Sequence, residues 1–181
     1  SSSSAASDVY KRQVEWWVGG GYDLTPFFPY AKDCLMWHKD AKAHFDKFNK
    51  KYYKEFAKNC DDYFFLPHRK EKRGIGGVFF DNFNELGLDL SMQMLKNTAK
   101  TYLNSYLKII NLRKSREYTA KDKGFQEYRR GRYAEFNLLY DRGTSFGLQS
   151  GGRIESILAS LPPHASWICL LYTSDAADEE D

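Results

Sequence analysis

Residues 128–163 read YRRGRYAEFNLLYDRGTSFGLQSGGRIESILASLPP, and their hydrophobic period changes twice. From 133 to 140 the residues alternate. Ala134, Phe136, Leu138 and Tyr140 fall on one face and Tyr133, Glu135, Asn137 and Leu139 on the other, the pattern of a half-buried strand. Asp141-Arg142-Gly143 interrupts the run. Asp bonds its own backbone at turns and Gly takes positive φ, so a second strand over 144–149 is expected to fold back antiparallel, with Asp141 and Arg142 at the hairpin tip. Beyond it, Ile154, Ile157, Leu158 and Leu161 fall at i, i+3, i+4 and i+7, a helical stripe that Pro162-Pro163 ends. Ser150-Gly151-Gly152-Arg153 is then the handover from strand to helix N-terminus. Free N–H groups, two residues without Cβ and a guanidinium suit an anion there; a tight turn with a solvated Arg153 fits the same residues.

The 181 residues suffice for one domain with a real core, and 17% aromatic is rich. No apolar run approaches a membrane span, and a mean hydropathy of −0.65 predicts a soluble protein without an integral membrane segment. Twenty-seven basic against 24 acidic side chains leave only +3, which does not demand a nucleic-acid partner. Cys34, Cys60 and Cys169 lie far apart with no C-x-x-C pair, predicting reduced thiols in the cytoplasm rather than a disulfide frame or zinc knuckle.

The first and last stretches, 1–13 and 169–181, show no usable periodicity or are small and acidic, and are expected to be tails outside the domain. Glu15-Trp16-Trp17-Val18 predicts a short strand, and Gly19-Gly20-Gly21 a flexible turn before Asp23 and Pro26. Residues 32–59 read as helix, in two pieces broken near Asn49, with His38 on the inward stripe. A dense basic turn ending at Arg73 precedes Gly74-Ile75-Gly76-Gly77. No Lys-Ser or Lys-Thr follows these glycines, so they form no P-loop, and Val78-Phe79-Phe80 reads as a buried strand. Residues 89–110 form a long amphipathic helix, and 111–124 a polar connection.

The blocks WWVGGGYDLTPFF, CDDYFFLPHRKEKRGIGGVFFDNF and the whole of 128–163 together resemble the oxygen-dependent coproporphyrinogen III oxidase family, from about Val14 to Ile168. The resemblance implies an α+β fold, a flat antiparallel sheet flanked by helices on both faces and incomplete in this chain. It also implies a homodimer that converts two propionates of coproporphyrinogen III to vinyl groups with O2, using no organic cofactor, and so yields protoporphyrinogen IX for haem synthesis. The substrate is an apolar macrocycle with four carboxylates, which calls for greasy walls and a cationic rim. On this likeness Asp23 and Asp141 are the catalytic candidates, one of them drawing a proton from the pyrrole N–H groups. Arg73, Arg142, Gly151, Gly152 and Arg153 are the substrate-binding candidates. His38 and His68 match positions sometimes assigned a divalent metal, although their spacing supplies no third ligand.

The chain also departs from the family pattern. The family carries an H-x-N-x-R motif before the Trp-Trp-Gly block, its His taken as proton donor, and nothing like it precedes Glu15. Val18 and Ala134 stand where larger residues are usual. The expectation is a middle-and-later piece of the domain with impaired turnover. Two alternatives follow: a catalytically incomplete piece that only binds porphyrinogen or dimerises, and an RNA-binding module built on Tyr128-Arg129-Arg130-Gly131-Arg132-Tyr133. Near-balanced charge and the lack of an RRM, KH or OB signature weigh against the second.

Overall fold

The computed structural model describes residues 15–167. The expected tails, and Cys169, lie outside the described residues. At the centre, β1 (Val18–Leu24) pairs antiparallel with β4 (Gly76–Phe83), setting Tyr22 opposite Val78 and Leu24 opposite Gly76. The register slips near one end, where Val18 faces Phe83 and Gly20 faces Phe80. That leaves an extra residue on β4, with Asn82 at φ 50. The glycines expected to form a turn are therefore inside a strand. A Cβ on Gly20 would come within 3.0 Å of the Phe80 ring, so the bare backbone is what admits that ring.

One face of the ribbon meets the helices. In α1 (Ala31–Phe45), Trp37, Ala41, His44 and Phe45 recur at helical spacing and are all buried. In α2 (Tyr52–Tyr63), the buried residues Tyr52, Phe56 and Cys60 recur every fourth position. The break expected near Asn49 is present, and the Asn49 side chain accepts a hydrogen bond from the Lys51 amide at 3.0 Å. Phe56 stacks on Phe80 at 4.9 Å and Tyr22 lies 4.1 Å from Trp37, while Met94 enters from α3 (Leu88–Arg113). Each fully buried side chain of this size contributes about 1.5–3 kcal/mol. The opposite face carries Gly19 beside Asp81 and Gly21 beside Asp23 and Phe79. A second, minimal hairpin, β2 (Phe65–Leu66) with β3 (Glu71–Lys72), holds the basic turn.

The stretch 128–163 folds otherwise than its alternation suggested. Residues 133–139 are the end of α4 (Ala120–Leu139), and 144–149 lie in α5 (Arg142–Gln149). Two physical signals outweighed the alternation. The run RYAEFNLL contains no β-branched residue, and Thr119 with Asp122 forms a reciprocal capping box that starts the helix well upstream. Leu138 and Leu139 are both exposed, as no half-buried strand would leave them. Asp141 is not a hairpin tip but the N-cap of α5, its carboxylate accepting from the Thr144 amide at 2.7 Å.

Gly151 and Gly152 then close α5. The Gly151 N–H donates to Leu148 O at 3.3 Å, the Gly152 N–H donates to Gly147 O at 3.1 Å, and Gly151 has φ 70. This is a Schellman stop. The expected last helix shrinks to α6 (Ile154–Ile157) and a single 3-10 turn, Leu158–Ser160. The connection expected over 111–124 is shorter too, because α3 runs to Arg113 and α4 begins at Ala120. The chain is α+β, as expected, and the described sheets are antiparallel and two-stranded.

Candidate active site

Asp23 sits near the end of β1, and Arg73 arrives from the turn between β3 and β4. The glycines between Arg73 and Val78 make that approach possible. A Cβ on Gly77 would lie 1.9 Å from the Tyr22 carbonyl, and one on Gly74 would lie 2.5 Å from the Leu24 carbonyl, so the two segments touch backbone to backbone. Arg73 Nη2 consequently donates to Asp23 Oδ2 at 2.6 Å, and its Nε donates to Thr25 Oγ1 at 3.1 Å. The guanidinium is boxed by rings, 3.9 Å from the centre of Phe64 and 5.0 Å from those of Tyr133 and Phe136. Arg73 is only 7% exposed.

Burial pushes the Asp23 carboxyl above its ordinary value, outweighing the opposing pull of Arg73. A carboxylate displaced in that direction is a better proton acceptor than a free one. Cys60 lies close by, and burial drives its thiol up to about 12, which makes it an inert wall group.

A cavity of about 660 Å³ opens beside this pair, between the end of β1, the Tyr102 and Tyr106 side of α3, the Arg130 and Tyr133 side of α4, and Leu161-Pro162-Pro163. Aromatic and aliphatic side chains alternate in its walls with polar groups from Asp23, Thr25, Arg73, Arg130 and Ser160. Tyr102 and Tyr106 fall one turn apart on a helix read from sequence as scaffold; the repeat of tyrosine at i, i+4 was the available sign that this stripe has a polar use. Arg130, read as part of a basic cluster, also faces this cavity. Of that cluster, Arg129 and Arg132 both pair with Glu71.

The other site residues stand elsewhere. Asp141 accepts a hydrogen bond from the Tyr63 hydroxyl at 3.3 Å besides capping α5. Arg142 lies 4.9 Å over the Tyr63 ring, and its guanidinium is 3.8 Å from the Asp81 carboxylate. Tyr63 and Phe64 are consecutive, so Asp141 and Arg73 are joined through neighbouring rings without touching. The amides of Gly151 and Gly152 are used in the helix stop, and Arg153, 77% exposed, pairs with Glu155 at 3.4 Å. Neither Asp141, Arg142 nor the segment 151–153 lines the Asp23 cavity. Of the candidates read from sequence, only Asp23 and Arg73 share this cavity, and the 141–142 corner and the segment 150–153 face elsewhere. The expected strand ends at 140 and 149 are helix ends, and the side chains they carry point to other partners.

His38 Nε2–H donates to Ile75 O at 2.9 Å, and its Nδ1 is hydrogen-bonded with the Tyr53 hydroxyl at 3.1 Å. His68 is likewise spanned by Tyr140 Oη at 2.8 Å and Glu135 Oε2 at 2.7 Å. Among the described residues no group of three or more His, Cys, Asp and Glu side chains is arranged to hold a metal ion. With both rings satisfied in separate places, the two histidines do not fit a shared divalent site. Glu135 collects Arg69, His68 and Trp167 around one carboxylate, and these donors, Arg69 foremost, hold it down at about 2.

Asp23, the ring-boxed Arg73 and Arg130 thus line one cavity together with tyrosine, phenylalanine and proline side chains. The chain belongs to the coproporphyrinogen III oxidase family, whose model matches residues 3–181. It is 55% identical over 152 residues to the oxygen-dependent coproporphyrinogen-III oxidase of Francisella tularensis subsp. novicida (strain U112), covering 84% of this chain and 49% of that protein. The enzyme of the same name from subsp. holarctica (strain LVS) is 55% identical over 165 residues, 91% of this chain and 54% of the other. That of Francisella philomiragia subsp. philomiragia is 54% identical over the same coverage. The chain spans about half the length of the curated relatives it matches. Among the described residues no helix is long and apolar enough to cross a membrane.

Proposed function

We propose that this chain carries the substrate-gripping half of an oxygen-dependent coproporphyrinogen III oxidase and takes part in converting two propionates of coproporphyrinogen III to vinyl groups, giving protoporphyrinogen IX. The observation that carries the reading is the Asp23–Arg73 pair set into the wall of an aromatic cavity. The macrocycle supplies apolar faces to such walls, and its pyrrole N–H groups are donors for a carboxylate. Asp23 accepts from them and removes a proton, which makes the ring electron-rich toward O2. Each conversion then breaks the bond between the propionate α-carbon and its carboxyl group and releases CO2. A β-hydrogen leaves with two electrons, O2 takes that hydrogen, both electrons and one proton to become H2O2, and Asp23 returns its proton to the pyrrole nitrogen.

Arg73 holds Asp23 in place; Arg142, Gly151, Gly152 and Arg153 lie outside this cavity, so carboxylate contacts from them are proposed only for parts of the substrate that extend beyond it. Orientation of the reacting propionate is the main contribution of such contacts. Asp141 is the second candidate for the proton role, but capping and Tyr63 already engage both its oxygens, so Asp23 is preferred. No organic cofactor enters this scheme, and no step runs through a metal. A homodimer in the cytoplasm is part of the proposal, and the exposed Leu103, Leu107 and Leu112 of α3 are the kind of surface a second copy covers. The pairing of Arg129 and Arg132 with Glu71 favours leaving nucleic acid out of it.

The deciding experiment is O2 consumption with coproporphyrinogen III, run on this chain and on a version extended to the length of its relatives. Turnover by the extended protein that drops at least 100-fold with Asp23→Asn, while coproporphyrin binding persists, supports the assignment. Normal turnover by that variant sinks it. Turnover lost with Asp141→Asn at unchanged binding moves the proton role to Asp141.

A further inference from the structure

We infer that Arg130 is a carboxylate-binding residue of the Asp23 cavity, engaging one acid group of the substrate apart from the Asp23–Arg73 pair. This rests on the reading of that cavity as the porphyrinogen site. The argument begins with helix phase. Arg129 and Arg132, three apart on α4, turn toward Glu71, which Arg132 Nε reaches at 2.7 Å and Arg129 Nη1 at 3.4 Å. Arg130 and Tyr133, also three apart, turn the other way and both face the cavity.

Charge accounting comes next. The ionisable carboxylate and guanidinium groups lining the cavity are Asp23, Arg73 and Arg130. Asp23 and Arg73 neutralise each other at 2.6 Å. Arg130 has no carboxylate within ion-pair distance among the described residues, and its Nε is buried with no hydrogen-bond partner. Its guanidinium lies 5.2 Å over the Phe27 ring, which itself meets Tyr133 edge-on at 6.1 Å, so the group is seated on an aromatic platform. A buried donor without a partner is costly, so a charged group kept this way calls for an explanation, and a ligand on the guanidinium is one. The lining thus carries one unbalanced positive charge beside aromatic rings, a partner for an acid group borne on a ring system. A guanidinium receives a carboxylate through two parallel N–H bonds, a geometry that also discriminates how far the acid stands from the ring.

The test is binding of coproporphyrin III, the stable oxidised macrocycle, against its tetramethyl ester, measured by fluorescence on the full 181-residue chain. The unaltered chain is expected to prefer the acid. Arg130→Ala should raise the Kd for the acid about tenfold or more and leave that for the ester unchanged, and Arg130→Lys should fall between, since an ammonium keeps the charge but loses the fork. Unchanged acid binding in Arg130→Ala overturns the inference, and so does an equal loss for acid and ester, which would mark a packing role. An unaltered chain that shows no preference for acid over ester overturns the cavity reading itself. That result differs from a preference that survives the loss of Arg130.

Discussion

Two pairs of candidate residues, Asp23 with Arg73 and Asp141 with Arg142, have opposite fates. Asp23 and Arg73 are 50 residues apart, yet meet at 2.6 Å inside a box of rings. Asp141 and Arg142 are adjacent in the chain and do not bond each other: one caps a helix, and the other, 66% exposed, lies over Tyr63 near Asp81. Sequence proximity says little about which charges pair. Backbone contact decides it, since glycines at 74 and 77 let one segment press on another, whereas the first turn of a helix turns consecutive side chains about 100° apart.

That contrast can be broken in order of expected effect. The largest is Arg73→Ala, which strands a shielded carboxylate and empties the ring box. Unfolding should become easier by about 3 kcal/mol, read from the denaturant midpoint at pH 7. Relief by the double change Arg73→Ala with Asp23→Asn would confirm that the stranded charge is the cause, and no loss at all would show the pair to be superficial.

Next is Glu135→Gln, at about 2 kcal/mol, because several charged or polar donors lose an anionic acceptor. Its pH signature is the mirror of that at Asp23. Glu135 is held below its ordinary 4.5, so its contribution is full above that value and disappears as pH falls toward about 2. Asp23 is raised above its ordinary 3.8, so its contribution is full below 3.8 and is lost as pH climbs through the folded value. Stability of the unaltered chain relative to Asp23→Asn should accordingly decline as pH rises, and relative to Glu135→Gln decline as pH drops. Parallel curves would refute both assignments.

A smaller effect is expected at Asp141 and Arg142. Asp141→Ala removes a cap and should cost about 1 kcal/mol, with Asp141→Asn nearly neutral because Asn caps as well. Arg142→Ala should change stability by less than about 0.5 kcal/mol, measured in the same way.

Much of the scaffold was readable from the order of residues. The helix over α1 was legible, although its inward stripe was read through His38 and the buried one runs through Trp37, Ala41 and Phe45; Asn49 marks the gap before α2, and Val78-Phe79-Phe80 marks β4. The glycine strand was not readable, because glycine is the residue least expected in a strand; its use appears once Phe80 is seen filling the missing side chain's place. Nor was α4, where eight alternating residues matched a strand and the deciding signal, the Thr119 and Asp122 box, stood fourteen residues before Tyr133. At the site, likeness to a family pointed to Asp23 and Arg73. Their pairing, and the part played by Arg130, depend on turns of chain and helix phase that no local motif records.

The backbone contact at Gly77 has one more implication. With the Tyr22 carbonyl 1.9 Å from where a first side-chain carbon would stand, no other amino acid can occupy position 77 unless the two segments part. A survey of every single replacement along this chain should therefore find its least forgiving positions to include some that contribute no chemical group at all. Inheritance here would protect an empty space as strictly as it protects the acid next to it.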